Sequence, residues 1–315
     1  MQTKWIIVIV VAAVVAASLI PFLFIAGNTP LPVGGDYVAL LELSGTISYD
    51  GSPISLFGRT LTPADVEEMV EQVESNPFAK AVVLVINSPG GSAAASEEIY
   101  QMFRKLAEKK PVVAYIAEYG ASGGYYIALP ASRIVASPSA LTGSVGAVAL
   151  VINYAELADR LGIRAYVFKS GGMKDVGNPF RELSSEEQKL LQSLIDSTAE
   201  TFASRVREAR EGKIKAWDEV LTARPYTGEQ ALRIGLVDMV GSIGDAVNVA
   251  RELAGVPEDT PTRWIRPRTP SLLEMLLGGG LEIPGERMKL SYEILLMWPL
   301  PEAIPIESIT YLSAN

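Results

Sequence analysis

Runs of apolar residues divide the middle of the chain into predicted strands. Ala81–Ile86 and Pro111–Ile116 are continuously apolar, which is typical of parallel strands buried on both faces. A third apolar strand at Tyr37–Leu43 is predicted to begin the folded part of the chain. Further strands are predicted at Arg133–Ala136, Val145–Val151 and Arg164–Phe168.

Helical patterns separate these strands. Thr62, Pro63 and Asp65 provide a cap, a proline at the first helical position and an acid in the first turn of one predicted helix. Ser184 and Glu187 form a capping box that begins a long helix, which Gly212 ends. Further helices are predicted over Glu97–Lys109 and Tyr154–Leu161. Alternation of strands and helices predicts an α/β fold, and the apolar face of the long helix, Leu191, Leu194, Phe202 and Val206 among its residues, is predicted to be core.

The N-terminal segment has a different pattern. No charged side chain lies between Lys4 and Asp36, and Trp5–Ala26 is long enough, at roughly 33 Å as a helix, to cross a bilayer. We expect an uncleaved transmembrane helix rather than a signal peptide, whose apolar region is only about 7–15 residues long. The positive charge of Lys4 predicts that the N-terminus is cytoplasmic. The chain is therefore expected to cross the cell membrane once, with the residues after the anchor on the extracytoplasmic side.

Two changes of composition give the predicted domain organisation. Residues 1–36 comprise the cytoplasmic stub, the anchor (about 5–26) and a linker rich in Gly and Pro. Residues 37–256 are predicted to form the folded domain. Residues 257–315 form a tail without a clear period, which packs between subunits, lies on the membrane surface or is partly disordered.

Composition restricts the chemistry. The chain of 315 residues contains neither Cys nor His, which excludes a thiol nucleophile, a disulfide framework, a Ser-His-Asp triad and the common zinc sites. The net charge of −9 disfavours a nucleic-acid partner. Catalysis must therefore use hydroxyl, amine, carboxylate or backbone groups, and we expect no metal and no cofactor.

Three glycine-rich turns follow apolar strands and could carry this chemistry. They occupy Asn87–Gly91, Gly120–Tyr126 and Leu141–Gly146. In the second turn Ser122 lies where a strand is predicted to become a helix, in the G-x-S-x-G pattern of a nucleophile elbow. That turn would expose the hydroxyl and free backbone N–H groups for an oxyanion, to which Gly91 could add a second N–H. The alternative is a small residue that permits tight strand–helix packing.

A nucleophilic serine would need a base. A free lysine has a pKa near 10.4 and cannot accept a proton at neutral pH, but burial can lower that pKa by several units. The sequence contains many lysines, and chemistry alone does not choose among them. Lys174 lies in a glycine-rich loop after a predicted strand, from which it could return to the site.

The blocks NSPGG, ASGGYY, LTGSVG, KSGGMKD and YTGEQALRIGLVD resemble the signal peptide peptidase SppA family in order and spacing, from about Tyr37 to about Leu253. The resemblance implies a ClpP/crotonase-like spiral of repeated β-β-α units, preceded here by the transmembrane helix. It also implies a role for each matched residue. These are Ser122 as nucleophile, Lys174 as general base with Lys169 as its local competitor, Ser144 as the residue that orients the lysine, and Gly91 and Gly123 as oxyanion donors.

The resemblance further implies a membrane-anchored endopeptidase that degrades signal-peptide remnants or other hydrophobic peptides as a ring- or dome-shaped homo-oligomer. This chain matches the short, single-copy form, so a neighbouring subunit could complete each site or supply the lysine. Three alternatives remain open. They are a related peptidase that acts on stomatin-like membrane proteins, a crotonase-type acyl-CoA enzyme, and an inactive membrane scaffold.

Overall fold

The computed structural model describes residues 35–50 and 60–267, together with the backbone of Leu295–Met297. The chain divides into two compact units, Met1–Asp36 and Tyr37–Asn315. The predicted anchor at residues 5–26 lies outside the described residues. In the described part, no helix is both long and apolar enough to span a membrane, and the anchor stays a prediction.

The second unit is a mixed α/β fold. Its strands are β1 (Tyr37–Ser44), β2 (Thr46–Ile47), β3 (Thr60–Leu61), β4 (Ala79–Ser88), β5 (Gly90–Ser92), β6 (Val112–Ala121), β7 (Arg133–Ala136), β8 (Leu141–Gly143), β9 (Pro225–Thr227), β10 (Met239–Val240), β11 (Thr262–Ile265) and β12 (Leu295–Met297). Its helices are α1 (Pro63–Glu74), α2 (Ala93–Ala107), α3 (Gly123–Tyr126), α4 (Ala155–Arg160), α5 (Ser185–Ala209), α6 (Trp217–Val220), α7 (Gly228–Ile234) and α8 (Ile243–Ala254), with a 3₁₀ turn at Gly172–Asp175.

The main sheet has the strand order β10-β7-β6-β4-β1-β11, and β8 joins β6 to β9 at one end. Its central strands are parallel, with Val82 of β4 in register with Val112 of β6. Alternate residues of β4 contribute to two separate hydrophobic clusters: Leu84 packs in the cluster that contains α1 and α2, and Val83 in the one that contains α8. Continuously apolar strands are thus explained by helices on both faces.

A second, small sheet has the order β12-β5-β2-β3. Only Pro89 separates the end of β4 from the start of β5, and β5 is followed directly by α2, so the chain passes from the main sheet to the small sheet and then into a helix. β12 pairs antiparallel with β5, with Leu296 opposite Gly91. The small sheet therefore continues the main sheet at the edge where the glycine-rich turns lie.

Two predicted helix starts are confirmed. Thr62 and Ser184 both accept a hydrogen bond from the backbone N–H three residues later, and both make complete capping boxes. α2 begins at Ala93 rather than at the predicted Glu97, because Ser92 caps it.

Two predicted strands are wrong. Val145–Val151 and Arg164–Phe168 form no strand, and both lie in residues 145–184, which we call the connecting segment because they join β8 to α5. Leu150 is 52% exposed and Phe168 is 96% exposed. An apolar sequence forms a strand only when another strand pairs with it, and within the described residues the pairing of these two segments is limited to an isolated bridge at Val148.

The face predicted as core along α5 is only partly buried. Phe202 and Val206 are buried, whereas Leu194, nearer the start of the helix, is 40% exposed. The first half of α5 therefore shares the exposed apolar character of the connecting segment.

Candidate active site

The three glycine-rich turns meet at one edge of the main sheet. Ser88 pairs with Gly120 between β4 and β6, and Ala121 pairs with Gly143 between β6 and β8. The Ser122 N–H donates to the Gly143 carbonyl over 2.8 Å. A Cβ on Gly124 would lie 2.3 Å from the Ser88 carbonyl oxygen, so only glycine lets α3 pack this closely against the end of β4.

Ser122 occupies the predicted turn between strand and helix. It has φ 54° and ψ −120°, a conformation that costs a non-glycine residue about 1–3 kcal/mol and that is common at active sites. The residue is only 2% exposed, and its carbonyl accepts the N–H groups of Tyr125 and Tyr126. The Ser122 hydroxyl forms no hydrogen bond with any residue that the structure describes, so its proton is not committed to a structural contact.

The short helix α3 after the serine is held by its two tyrosines. The Tyr125 hydroxyl donates to the Leu236 carbonyl over 2.6 Å, and the Tyr126 hydroxyl donates to Glu97 of α2. Burial, together with the hydrogen bond to Glu97, raises the pKa of Tyr126. Burial would raise the pKa of Glu97, but hydrogen bonds from Tyr126, Gln101 and Arg205 hold it below its ordinary value. These groups therefore fix α3 and are unsuited to exchanging protons near neutral pH.

Backbone N–H groups near Ser122 come from two elements. Gly123 is the first residue of α3, where an N–H has no partner inside the helix. Gly91 lies in β5, against which α3 packs, and a Cβ there would lie 2.0 Å from the Ile47 carbonyl oxygen. Because α3 has only four residues, its dipole is small, and individual N–H groups such as that of Gly123 would contribute more than the dipole.

Ser144 lies directly after β8, next in space to Ser122. Its φ is 53°, and its N–H donates to the Arg224 carbonyl over 3.1 Å. Ala223, with φ 58°, completes the set of non-glycine residues with positive φ in the described ranges, and a Cβ on Gly146 would lie 2.6 Å from the Ala223 Cβ. All three strained residues thus lie at or beside the same edge.

Lys174 is not joined to this edge within the described chain. It lies exposed in the 3₁₀ turn of the connecting segment, and its side chain makes no hydrogen bond or ion pair with the described residues. Lys169, the competing lysine, donates to the Gly172 carbonyl over 2.8 Å and to Asp175 over 2.6 Å. Lys169 is therefore committed to structural contacts, and the assignment of Lys174 as the base stays a prediction.

The sequence did not predict two groups of contacts, one at this edge and one in the connecting segment. Thr142 is buried, and its hydroxyl donates to the Gly120 carbonyl over 2.8 Å, which joins two of the glycine-rich turns. Arg181 bridges Asp175 and Glu187, and the only sequence signal was its position ahead of the capping box. Among the residues described, no group of three acidic side chains could hold a metal ion.

Topology and site together define a class of protein. A parallel sheet with helices on both faces, a strained serine at a strand–helix turn and a neighbouring glycine-lined strand are features of a ClpP-like serine peptidase. Residues 34–158 match the family described as ClpP-like SDH-type serine proteinase, and residues 104–257 match Peptidase family S49. The chain belongs to peptidase family S49 and is a serine peptidase.

Curated relatives support this family assignment. A Methanocaldococcus jannaschii protein assigned as a protease is 33% identical over 80% of this chain and 81% of its own length. A Synechocystis protein assigned as a protease is 37% identical over 83% of this chain and 90% of its own length. The chloroplastic serine protease SPPA of Arabidopsis thaliana is 32% identical over 80% of this chain, but only 38% of the plant protein is covered.

Proposed function

We propose that this chain is a membrane-anchored endopeptidase of the SppA type, which degrades signal-peptide remnants and other hydrophobic peptides with a Ser122–Lys174 dyad. The observation that carries the proposal is the edge where Ser122, Ser144, Gly91 and Gly123 meet. The edge offers a candidate nucleophile, two candidate backbone donors and a second hydroxyl on neighbouring turns, and acyl transfer without histidine needs in addition a base, which we propose is Lys174.

The chemistry would proceed in two stages. In the first, the neutral Lys174 amine takes the proton of the Ser122 hydroxyl as its oxygen attacks the peptide carbonyl, while the Gly91 and Gly123 N–H groups stabilise the oxyanion. The lysine then returns the proton to the departing amine, and the acyl-enzyme remains. In the second stage water attacks the ester, and the lysine again takes and returns a proton. Ser144 would hold the amine by a hydrogen bond.

The position of the lysine favours an assembly of several copies. Lys174 lies in the connecting segment, which exposes many large apolar side chains. Leu150, Leu157, Leu161, Ile163, Tyr166 and Phe168 are each at least half exposed. Large contiguous apolar surfaces usually mark an interaction site, so we infer a homo-oligomer in which this surface is covered and in which a neighbouring copy could receive Lys174.

The small sheet supports a peptide substrate in extended conformation. β12 pairs antiparallel with β5 beside Gly91, and it also packs against α2 and α3. A strand of this chain thus lies along the edge next to the proposed oxyanion donors. β5 is thus paired on both sides, with β12 and with β2, and a substrate backbone would bind in place of β12, which would bring its carbonyl toward Ser122.

The test is hydrolysis of a leucine-rich signal-sequence peptide by the detergent-solubilised full chain across pH. We expect wild-type activity to increase toward alkaline pH and to fall by about a thousandfold or more in Ser122→Ala and Lys174→Ala. Lys189→Ala, which removes another exposed lysine, is the matched control and should retain full activity.

Each other outcome has a definite meaning. An active Lys174→Ala variant would refute the dyad, and a pH profile that stays flat would refute a lysine base. A wild-type chain that binds acyl-CoA and cleaves no peptide would favour the crotonase-type alternative. Absence of labelling by an active-site serine probe would favour the inactive scaffold.

A further inference from the structure

The turn that carries Lys174 is held by a compact network of charges in the connecting segment. Its centre is Asp175, the residue after the lysine. The Asp175 side chain is only 13% exposed, and it accepts hydrogen bonds from Lys169 and from both Nε and Nη2 of Arg181, at 2.6, 3.1 and 3.0 Å. The Asn178 amide adds a longer contact of 3.4 Å.

Arg181 connects this turn to the start of the long helix α5. Its Nη2 also donates to the backbone carbonyl of Asp175 over 3.1 Å. Its Nη1 donates to Glu187 over 2.8 Å, and its Nη2 makes a second bond to the same carboxylate. Glu187 in turn accepts the Ser184 N–H over 2.8 Å as part of the capping box of α5. One planar guanidinium thus bridges two carboxylates on opposite sides, which a lysine could not do.

The protonation of the network follows from these contacts. Hydrogen bonds from Arg181 and then Lys169 lower the pKa of Asp175, and hydrogen bonds from Arg181 and the Ser184 N–H lower the pKa of Glu187 to about 2. Both carboxylates are therefore ionised at every pH at which a lysine could act as base. The network remains intact across the working range of the enzyme.

The charged groups of this network are thus all held in ion pairs with one another. The Lys174 side chain itself has no polar contact in the described chain. The 3₁₀ turn fixes its backbone further, because the Lys174 N–H donates to the Gly171 carbonyl over 3.1 Å. We infer that Arg181 and Asp175 are positioning residues, which fix the backbone from which Lys174 extends and so limit where its amine can go. This inference rests on the proposed dyad, and it holds whether Lys174 reaches Ser122 in its own chain or in a second copy.

Holding a catalytic group in place has a measurable kinetic effect, because a displacement of about 1 Å can cost a hundredfold in rate. Arg181→Ala is expected to lower kcat by about 10- to 100-fold with KM within about twofold, since substrate contacts are unchanged. Asp175→Asn keeps the shape of the side chain but removes the charge, and we expect a similar loss. Arg181→Lys should recover only part of the activity, because it cannot bridge both carboxylates.

The experiment measures kcat, KM and the pH profile of kcat for these variants and for Lys174→Ala, with the full chain and the leucine-rich peptide. Arg164→Ala is the matched control. It removes another arginine of the connecting segment, one paired with Asp159 over 2.6 Å and 67% exposed, and it should leave kcat unchanged. For Arg181→Ala we also expect the alkaline limb of the kcat profile to move, which a loss of folded protein alone would not produce.

The outcomes separate this inference from the proposed function. If Lys174→Ala is inactive while Arg181→Ala and Asp175→Asn keep wild-type kcat and pH profile, the positioning role is refuted and the dyad stands. If Lys174→Ala is active, the dyad itself fails. If Arg181→Ala does not fold, Asp175→Asn and Arg181→Lys decide, and wild-type kinetics in both would refute the inference.

Discussion

The central sheet and the connecting segment are both rich in apolar residues, yet they differ in how those residues are used. In β4 and β6 the apolar side chains are covered on both faces by helices. In residues 145–184 similar side chains face outward, and Phe168 is 96% exposed. The same kind of sequence therefore forms a self-contained core in one region and an exposed apolar surface, of the kind that usually marks an interaction site, in the other.

Breaking a buried ion pair of the central fold should have the largest effect on stability. Arg210, whose side chain is 3% exposed, pairs with Asp238 over 2.8 Å, and Asp238 also accepts the Ile134 N–H of β7. We expect Asp238→Ala to lower the free energy of unfolding by about 3–5 kcal/mol, because it leaves a buried charge without its partner. Asp159→Ala, which breaks an exposed pair in the connecting segment, should cost less than about 1 kcal/mol. Chemical denaturation measures both, and equal losses would contradict the comparison.

A methyl group at Gly91 should damage stability and activity together. The new Cβ would lie 2.0 Å from the Ile47 carbonyl oxygen, so the backbone of the small sheet would have to move, at a cost of about 1–3 kcal/mol. Because Gly91 is also a proposed oxyanion donor, Gly91→Ala should lose peptidase activity. Gly171→Ala is the control in the connecting segment, where no atom lies within 4 Å of the added group. A fully active Gly91→Ala variant would remove Gly91 from the mechanism.

A charge on the surface of the connecting segment should change association but not folding. Burying one phenylalanine in an interface is worth about 1.5–3 kcal/mol, so Phe168→Asp should weaken self-association by about 10- to 100-fold. Analytical ultracentrifugation in detergent measures this, and thermal unfolding of the separated subunit should be unchanged. Phe78→Asp alters a phenylalanine that is 41% exposed outside this segment, and it should associate like wild type. Equal association of all three chains would mean that this surface is not the interface.

Acid should loosen the connecting segment, and this is the smallest of the expected effects. The folded-state pKa of Glu187 is about 2, below the ordinary value of about 4.3. A depressed pKa contributes stability that is present above the ordinary value and is lost as pH falls toward 2. Pepsin is active in that window, so cleavage within residues 161–184 should increase as pH falls from about 4 to about 2. Pepsin should cleave Arg181→Ala already at about pH 4, the upper end of this range. If this variant resists pepsin as well as the wild type does, the ion pairs do not hold the segment.

The sequence predicted the parts of the molecule that depend on local signals. Capping residues located the starts of α1 and α5, and continuous apolar runs located β4 and β6. Glycines around Ser122 located the strand–helix turn. The network around Arg181 was not predictable, because it depends on which side chains a loop without periodicity brings together. The predicted strands at Val145–Val151 and Arg164–Phe168 failed for a related reason, since pairing is a property of two segments and a sequence pattern describes only one.

The positive φ angles of Ser122, Ser144 and Ala223 have a consequence for how this enzyme can be engineered. Each conformation stores about 1–3 kcal/mol of backbone strain, and at Ser122 and Ser144 a glycine would release part of that strain while removing a hydroxyl proposed to take part in the reaction. A screen of random variants for heat resistance alone would therefore reward the loss of these two proposed catalytic groups. Directed evolution of this protein has to select for turnover and thermal tolerance in the same round.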